Sequence, residues 1–270
     1  MAGPFLQQRA FSKNRTVLAC LLACGVVFGL AAWLWMLFRP KEPAPVSPPV
    51  SPAAKAREET VGRSVEGRPL VCHFLGEDGP VIFYMASIHG TEGAGTPLLE
   101  KWLAWLEAHP ATWRGKRVMV MPVANPDGLA SQKRFNTRGI DLNRNFPAAN
   151  RQDTQRFGLA PLTEPESQAL ARLIEREQPA LIVSIHQPLN GVDYDGPPPA
   201  AELAARFSEA TGLPVDKLGA RPGSLGAWFG ETLGKPILTI ELPKLLRVDA
   251  EALWQRYGPG LRAVLEAAPE

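Results

Sequence analysis

The stretch "PVIFYMASIHGTEGAGTPLLEKWLAWLEAH", residues 80 to 109, opens with an apolar run that stops at His89 and gives way to an amphipathic pattern. A short continuous apolar run fits a strand buried on both faces, and the pattern after it fits a helix packed on a core. The spacing predicts a strand over 80–88 and a helix over 94–108. His89 and Glu92 then stand at the mouth of a strand-to-helix turn, where polar side chains are expensive to bury without partners.

The same alternation continues on either side. "VGRSVEGRPLVCHFLGE", residues 61 to 77, reads as two short strands joined at Glu66 and Gly67, and "RVMVMPVA" at 117–124 reads as another strand. "NPDG" at 125–128 has turn composition. "TEPESQALARLIEREQ" starts with a capping-box pattern from Thr163 to Glu166 and carries helical periodicity. "PALIVSIH" ends a further apolar strand on His186, and helices over 199–211 and 224–233 follow. The strand "PILTIEL" at 236–242 and a helix from Asp249 complete the chain. Apolar strands alternating with helices predict an α/β protein with a mainly parallel mixed sheet and helices on both faces. Ligands of such sheets bind at the carboxyl ends of the strands. His89, Asn125, His186 and Glu241 are the unusual polar residues at those ends.

With 270 residues, 45% hydrophobic and 21% charged, the chain can bury a substantial core. Its formal net charge is +2 and its basic residues are scattered, which excludes the footprint of a nucleic-acid binder. Of three cysteines, Cys20 and Cys24 fall in the N-terminal apolar run. Cys72 is then alone in the remainder, which therefore relies on core burial and not on a disulfide.

The N-terminal region is a separate object. Residues 17–38, "VLACLLACGVVFGLAAWLWMLF", contain no charge and are long enough as a helix to span a bilayer. Arg9, Lys13 and Arg15 precede this segment, and Trp33 and Trp35 lie toward its far end, as expected of a signal anchor with a cytoplasmic N-terminus. "LLAC" ending at Cys24 also has the look of a lipoprotein box, but a long apolar stretch follows it. Six prolines between positions 40 and 52 make the next segment an extended stalk. The expected organisation is a cytoplasmic terminus over 1–16, a transmembrane anchor over 17–38, a proline-rich linker over 39–59 and a catalytic domain over 60–270. The domain is expected outside the inner membrane, in the periplasm.

His89, Glu92 and His186 make a two-histidine, one-carboxylate set of the kind that holds catalytic zinc with one position open. His73 and His109 read as ordinary surface or core histidines. Glu241, at the end of an apolar strand, reads either as a structural ion pair or as a general base. "RFNTRGIDLNRNF", residues 134 to 146, is dense in donors suited to carboxylates and carbonyl oxygens.

Taken in order, H-x-x-E at His89 and Glu92, "NPDG", the run from Arg134 to Pro147, "SIH" at His186 and "TIEL" at Glu241 resemble the zinc metallocarboxypeptidases. "NRNFPAAN" and the compact domain resemble their bacterial murein-peptide amidase branch, which cuts γ-D-glutamyl-diaminopimelate. The resemblance covers roughly residues 60 to 265. It implies one zinc held by His89, Glu92 and His186, with Glu241 as general base. It further implies that Arg134, chosen over Arg138, holds the oxyanion, and that Asn143 and Arg144 grip the terminal carboxylate of a murein or other peptide. The mobile tyrosine of digestive carboxypeptidases has no counterpart in "DKLGARPGSLGAWFG", which leaves Tyr194 as its stand-in. The competing expectations are a carboxypeptidase for ordinary peptides, an N-acyl amino acid deacylase, and a silent wall-binding module.

Overall fold

The computed structural model describes residues 55–245 and 247–268. The anchor expected over 17–38, and with it Cys20 and Cys24, lies outside the described residues. Among the described residues, no helix is long and apolar enough to cross a membrane.

Seven strands form one sheet in the order β1-β2-β4-β3-β5-β7-β6. They are β1 (Arg57–Arg63), β2 (Pro69–Leu75), β3 (Val81–Ala86), β4 (Arg117–Met121), β5 (Leu181–His186), β6 (Leu189–Asp195) and β7 (Ile237–Pro243). The central four, β4, β3, β5 and β7, run parallel. The pairs at the margins, β1 with β2, β2 with β4 and β6 with β7, are antiparallel. β1 starts at Arg57, so the sheet takes in three residues that proline content alone leaves to the linker.

All six residues of β3 and of β5 are buried. Their side chains alternate between two apolar layers, as the two-residue period of a strand demands. Ile82, Tyr84 and Ala86 of β3 face helices α1 (Gly95–Ala108), α4 (Pro199–Thr211) and α5 (Ala250–Ala267). Val81, Phe83 and Met85 face α3 (Pro165–Glu177) together with Phe146, Trp228 and Phe229. Helices thus cover both faces.

Three local expectations are corrected. "NPDG" opens a short helix, α2 (Pro126–Ser131), because Asn125 Oδ1 accepts from Gly128 N at 2.9 Å and caps it. α3 begins after Glu164 without a capping box: Thr163 Oγ1 instead accepts from Asn145, and the Glu166 carboxylate accepts from Val65 N. The helix expected over 224–233 is a wide π-type turn, Gly226–Thr232. The sheet also contains β6, which is not among the strands predicted from sequence.

Candidate metal centre and substrate cleft

β3 ends at Ala86, and Ser87 turns the chain with a positive φ of 52°, a strained value for a non-glycine residue. The turn is held by Ser87 Oγ at 2.8 Å from Thr96 Oγ1, and by Asn125 N donating to Ser87 O at 2.9 Å. Gly90 permits the tight path, since a Cβ there would lie 1.9 Å from the Gly128 carbonyl carbon. This turn carries His89 and Glu92 across to the end of the neighbouring strand β5, where His186 is the last residue.

The three side chains converge. One ligand atom from each of His89, Glu92 and His186 lies within 4.8 Å of the others, and all three residues are buried. His89 Nδ1 is 2.8 Å from Glu92 Oε1, and His186 Nδ1 is 2.9 Å from Glu92 Oε2. His89 Nδ1 nonetheless makes no hydrogen bond. An orphaned, buried imidazole nitrogen aimed at a carboxylate and a second imidazole is the donor set that a zinc ion completes. The residues fit the metal.

The outward ring nitrogens are held from behind, as metal-ligating histidines generally are. His89 Nε2 lies 3.1 Å from Asp141 Oδ1, and His186 Nε2 lies 3.1 Å from Ser184 Oγ. Burial works against the charge of Glu92, yet the adjoining His186 and His89 rings hold its carboxyl well below the usual range. Burial likewise opposes a charged His89 ring, and the Asp141 and Glu92 carboxylates outweigh it and raise the His89 pKa. Asp141 also accepts from Asn143 N at 3.1 Å, so one carboxylate fixes both a histidine and the next polar loop. Asp141 lies inside the donor-dense run 134–146, where no local pattern marks it as the carboxylate behind His89.

Glu241 stands beside His186 as its direct partner across the β5–β7 pair. Its Oε2 accepts from Leu189 N at 3.3 Å, and burial pushes its pKa up. No ion pair engages it among the described residues, which removes the structural ion-pair reading. Arg134 Nη1 donates to Glu92 Oε1 at 2.8 Å and its Nε lies 3.4 Å from Asp141 Oδ2. Arg138 points elsewhere, toward Glu164 at 3.6 Å. Asn143 Oδ1 accepts from Leu225 N at 2.9 Å, which orients its amide. Arg144 is half-buried, its pKa is lowered by that burial, and among the described residues it has no carboxylate partner. Its backbone is packed against Gly223, where φ is +67° and a Cβ would lie 2.3 Å from Arg144 O.

These seven residues share one cleft of about 400 Å³, lined also by Asp193, Asp195 and Arg221. The tyrosine expectation is corrected: Tyr194 lies on the opposite face of β6 from the cleft and packs on the α1/α4/α5 layer, with Lys217 over its ring. Leu218 and Gly219 line the cleft instead. His73 and His109 take no part; His109 stacks on Trp105 at 4.4 Å between ring centres.

Comparisons with known proteins agree with this geometry. Residues 54–192 match the family model described as zinc carboxypeptidase, a span that includes the triad, Arg134, Asn143 and Arg144 and ends before Glu241. Murein peptide amidase A of Escherichia coli (strain K12) is 34% identical over 214 residues, which cover 71% of this chain and 84% of that protein. The crystal structure of a murein-tripeptide amidase from Escherichia coli O157 superposes with a TM-score of 0.63 at 30% identity, covering 86% of this chain and 98% of that one. Carboxypeptidase A from Helicoverpa armigera shares the fold, with a TM-score of 0.65 at 20% identity over 80% of this chain and 70% of its own.

Proposed function

The chain belongs to the zinc carboxypeptidase family, and from that premise we propose that it hydrolyses the amide between γ-D-glutamate and the L-centre of meso-diaminopimelate in murein peptides. The observation that carries this reading is one cleft holding a buried His89–Glu92–His186 triad, an adjacent unpaired Glu241 and an unpaired Arg144. The names of the relatives supply the substrate class.

When bound, zinc supplies Lewis-acid activation of water and of the scissile carbonyl. Glu241 takes a proton from the attacking water and returns it to the leaving nitrogen as the C–N bond breaks, and its raised pKa suits both transfers. Arg134 offers the N–H groups not engaged on Glu92 and Asp141 to the developing oxyanion. The Arg144 guanidinium pairs with the free carboxylate on the L-centre, and the Asn143 amide, held by Leu225 N, supports it. This grip places the scissile bond next to Glu241.

The charge-free run over 17–38 and the proline-rich segment after it support a single-pass inner-membrane anchor with the catalytic domain in the periplasm, where murein peptides are available. Reporter fusions after Glu270 are expected to be active as periplasmic reporters; activity confined to cytoplasmic reporters overturns this placement. The activity itself is tested by incubating the zinc-loaded protein with L-Ala-γ-D-Glu-meso-diaminopimelate and with simple C-terminal peptides, and reading the products by mass. Release of diaminopimelate, faster than any residue from the simple peptides, is the expected result. Preferential cleavage of the simple peptides overturns the murein assignment.

A further inference from the structure

Behind the cleft, and lining no part of it, the buried side chains of Asn136, Glu164 and Glu166 meet. Asn136 lies inside a turn whose two ends carry chemistry. Arg134 precedes it and Asp141 follows, and their side chains come together with Arg134 Nε 3.4 Å from Asp141 Oδ2. The turn is closed by Asn136 N donating to Ile140 O at 3.1 Å and by Gly139 N donating to Asn136 O at 3.0 Å. The Asn136 side chain fills it, with Oδ1 accepting from Arg138 N at 3.1 Å and from Ile140 N at 3.0 Å.

The other side of the amide is anchored at the start of α3. Asn136 Nδ2 donates to Glu164 Oε2 at 2.7 Å and lies 3.4 Å from Glu166 Oε2. Glu166 Oε1 accepts from Val65 N in the β1–β2 connection, and Arg138 Nη1 stands 3.6 Å from Glu164 Oε2. Burial raises the Glu166 pKa, bonds from Val65 N and Asn136 oppose the rise, and the Asp127 carboxylate adds to it. A buried carboxylate without a donor is costly, and here one carboxamide serves two. A carboxamide is the group that accepts two bonds on one side and donates two on the other. Asn145 adds a second tie to the same helix start, its Oδ1 accepting from Glu164 N at 3.3 Å and from Ser167 Oγ at 2.8 Å.

We propose that Asn136 is a positioning residue for catalysis: gripped by Glu164 and Glu166, it sets the turn that presents Arg134 to the developing oxyanion and Asp141 to His89. This rests on the reaction proposed above for the same cleft. Arg134 divides its N–H groups among Glu92, Asp141 and the substrate. A shift of about 1 Å at the turn therefore moves a donor away from the oxyanion, whose stabilisation depends steeply on distance. Asp141 carries the same shift to His89 Nε2.

The test compares the zinc-loaded full chain with Asn136→Asp and with a variant carrying Asn136→Asp and Glu164→Gln together. Asn136→Asp keeps the acceptor inside the turn, loses both donors and faces two carboxylates. On L-Ala-γ-D-Glu-meso-diaminopimelate its kcat per bound zinc should fall by about ten- to a hundredfold, with KM changed far less. Its zinc dissociation constant, read by competition with a chromophoric chelator, should rise by about tenfold, as loss of orientation behind a ligating histidine does. The double variant exchanges amide and carboxylate across the same bond and should recover most of both losses. Wild-type kcat per zinc in Asn136→Asp, with only a lower Tm, overturns the proposal, and so does a double variant no better than the single one. Should Asn136→Asp not fold, Glu164→Ala decides instead. It takes away the partner 2.7 Å from the Asn136 amide, and wild-type kcat per zinc in it overturns the proposal. If the wild type cuts simple C-terminal peptides and not the tripeptide, the murein reading fails, and the same comparison on those peptides still decides the role of Asn136. If it cuts neither, an unchanged zinc dissociation constant in Asn136→Asp overturns the proposal.

Discussion

The two ends of the cleft are built on opposite terms. At the metal end every ligand is braced from behind: His89 by Asp141, His186 by Ser184, and Glu92 by Arg134 and Gln187 N. At the far end Asp195 has two glycines around it and no donor on its buried Oδ1. Bracing fixes geometry before substrate arrives, which is what a reaction with a short list of productive distances needs. A carboxylate left unpaired instead carries an uncompensated cost in the folded state. The contrast is between hydrogen bonds made in advance at the metal end and one left unmade at the far end.

The contrast is broken most severely at the metal end. His89→Ala or His186→Ala removes one of three ligands, and each variant is expected to lose its zinc and its turnover together. The wild type should carry about one zinc per chain by metal analysis, as a three-ligand catalytic site does. Full zinc occupancy in both variants rules out the triad as the metal site. Treatment of the wild type with a chelator should likewise abolish activity, with recovery on zinc addition.

Glu241→Gln separates proton transfer from metal binding at the same end. Glu241 is a neighbour of His186 and not one of the converging ligands, so zinc and fold should persist. Turnover is expected to drop by about 10²–10⁴, the usual contribution of general acid–base catalysis. A near-normal rate with zinc in place removes Glu241 from the reaction.

Arg144→Lys probes the junction between the two ends. Lysine keeps the charge and loses the planar pair of N–H donors. A loss of about ten- to a hundredfold in kcat/KM is expected, carried mainly by KM, since the pairing exists before and during the reaction. Amidation of the substrate's terminal carboxylate should cost the wild type a similar amount. Equal cleavage of free and amidated tripeptide excludes the Arg144 grip.

How much of this was legible in the sequence follows the same division. β3 and β5 announce themselves because strands buried on both faces are almost continuously apolar, and His89 and His186 stand out where those runs end. Glu241 is visible for the same reason at the end of β7. β6, "LNGVDYD", escaped because one of its faces lines a polar cleft and its composition, with Asn, Gly and two Asp, is that of a loop. Its alternation of Val192 and Tyr194 with Gly191, Asp193 and Asp195 is the period of a half-buried strand, and was the signal to be found. Asp141 was hidden differently, since nothing in one chain says which carboxylate will stand behind which histidine. The capping box at Thr163 and Glu166 misled because both side chains found partners distant in sequence, Asn145 and the β1–β2 connection. Local pattern gives way where tertiary contacts offer the same groups better bonds.

The smallest expected effect is a gain, and it appears without any substrate. Asp195 has a folded pKa of about 6 against an ordinary 3.8. The folded protein therefore holds this proton more tightly than the unfolded chain, and stability contributed by the neutral form is lost as pH rises from about 4 through about 6. Asp195→Asn has no charge to bury, so it should escape that loss. The difference in unfolding free energy between variant and wild type is expected to be small near pH 4, to grow through pH 6, and to level off above it. Its plateau should be about 2 kcal/mol or less, after allowance for screening by Lys217 and solvent. In a domain of this size that corresponds to a Tm rise of at most roughly 4–8 °C at neutral pH. Thermal melts of both proteins across this pH range, in the metal-loaded state and without substrate, measure it directly. A variant that is less stable than wild type at neutral pH would mean that Asp195 is braced after all, and the two ends of the cleft would no longer differ in kind.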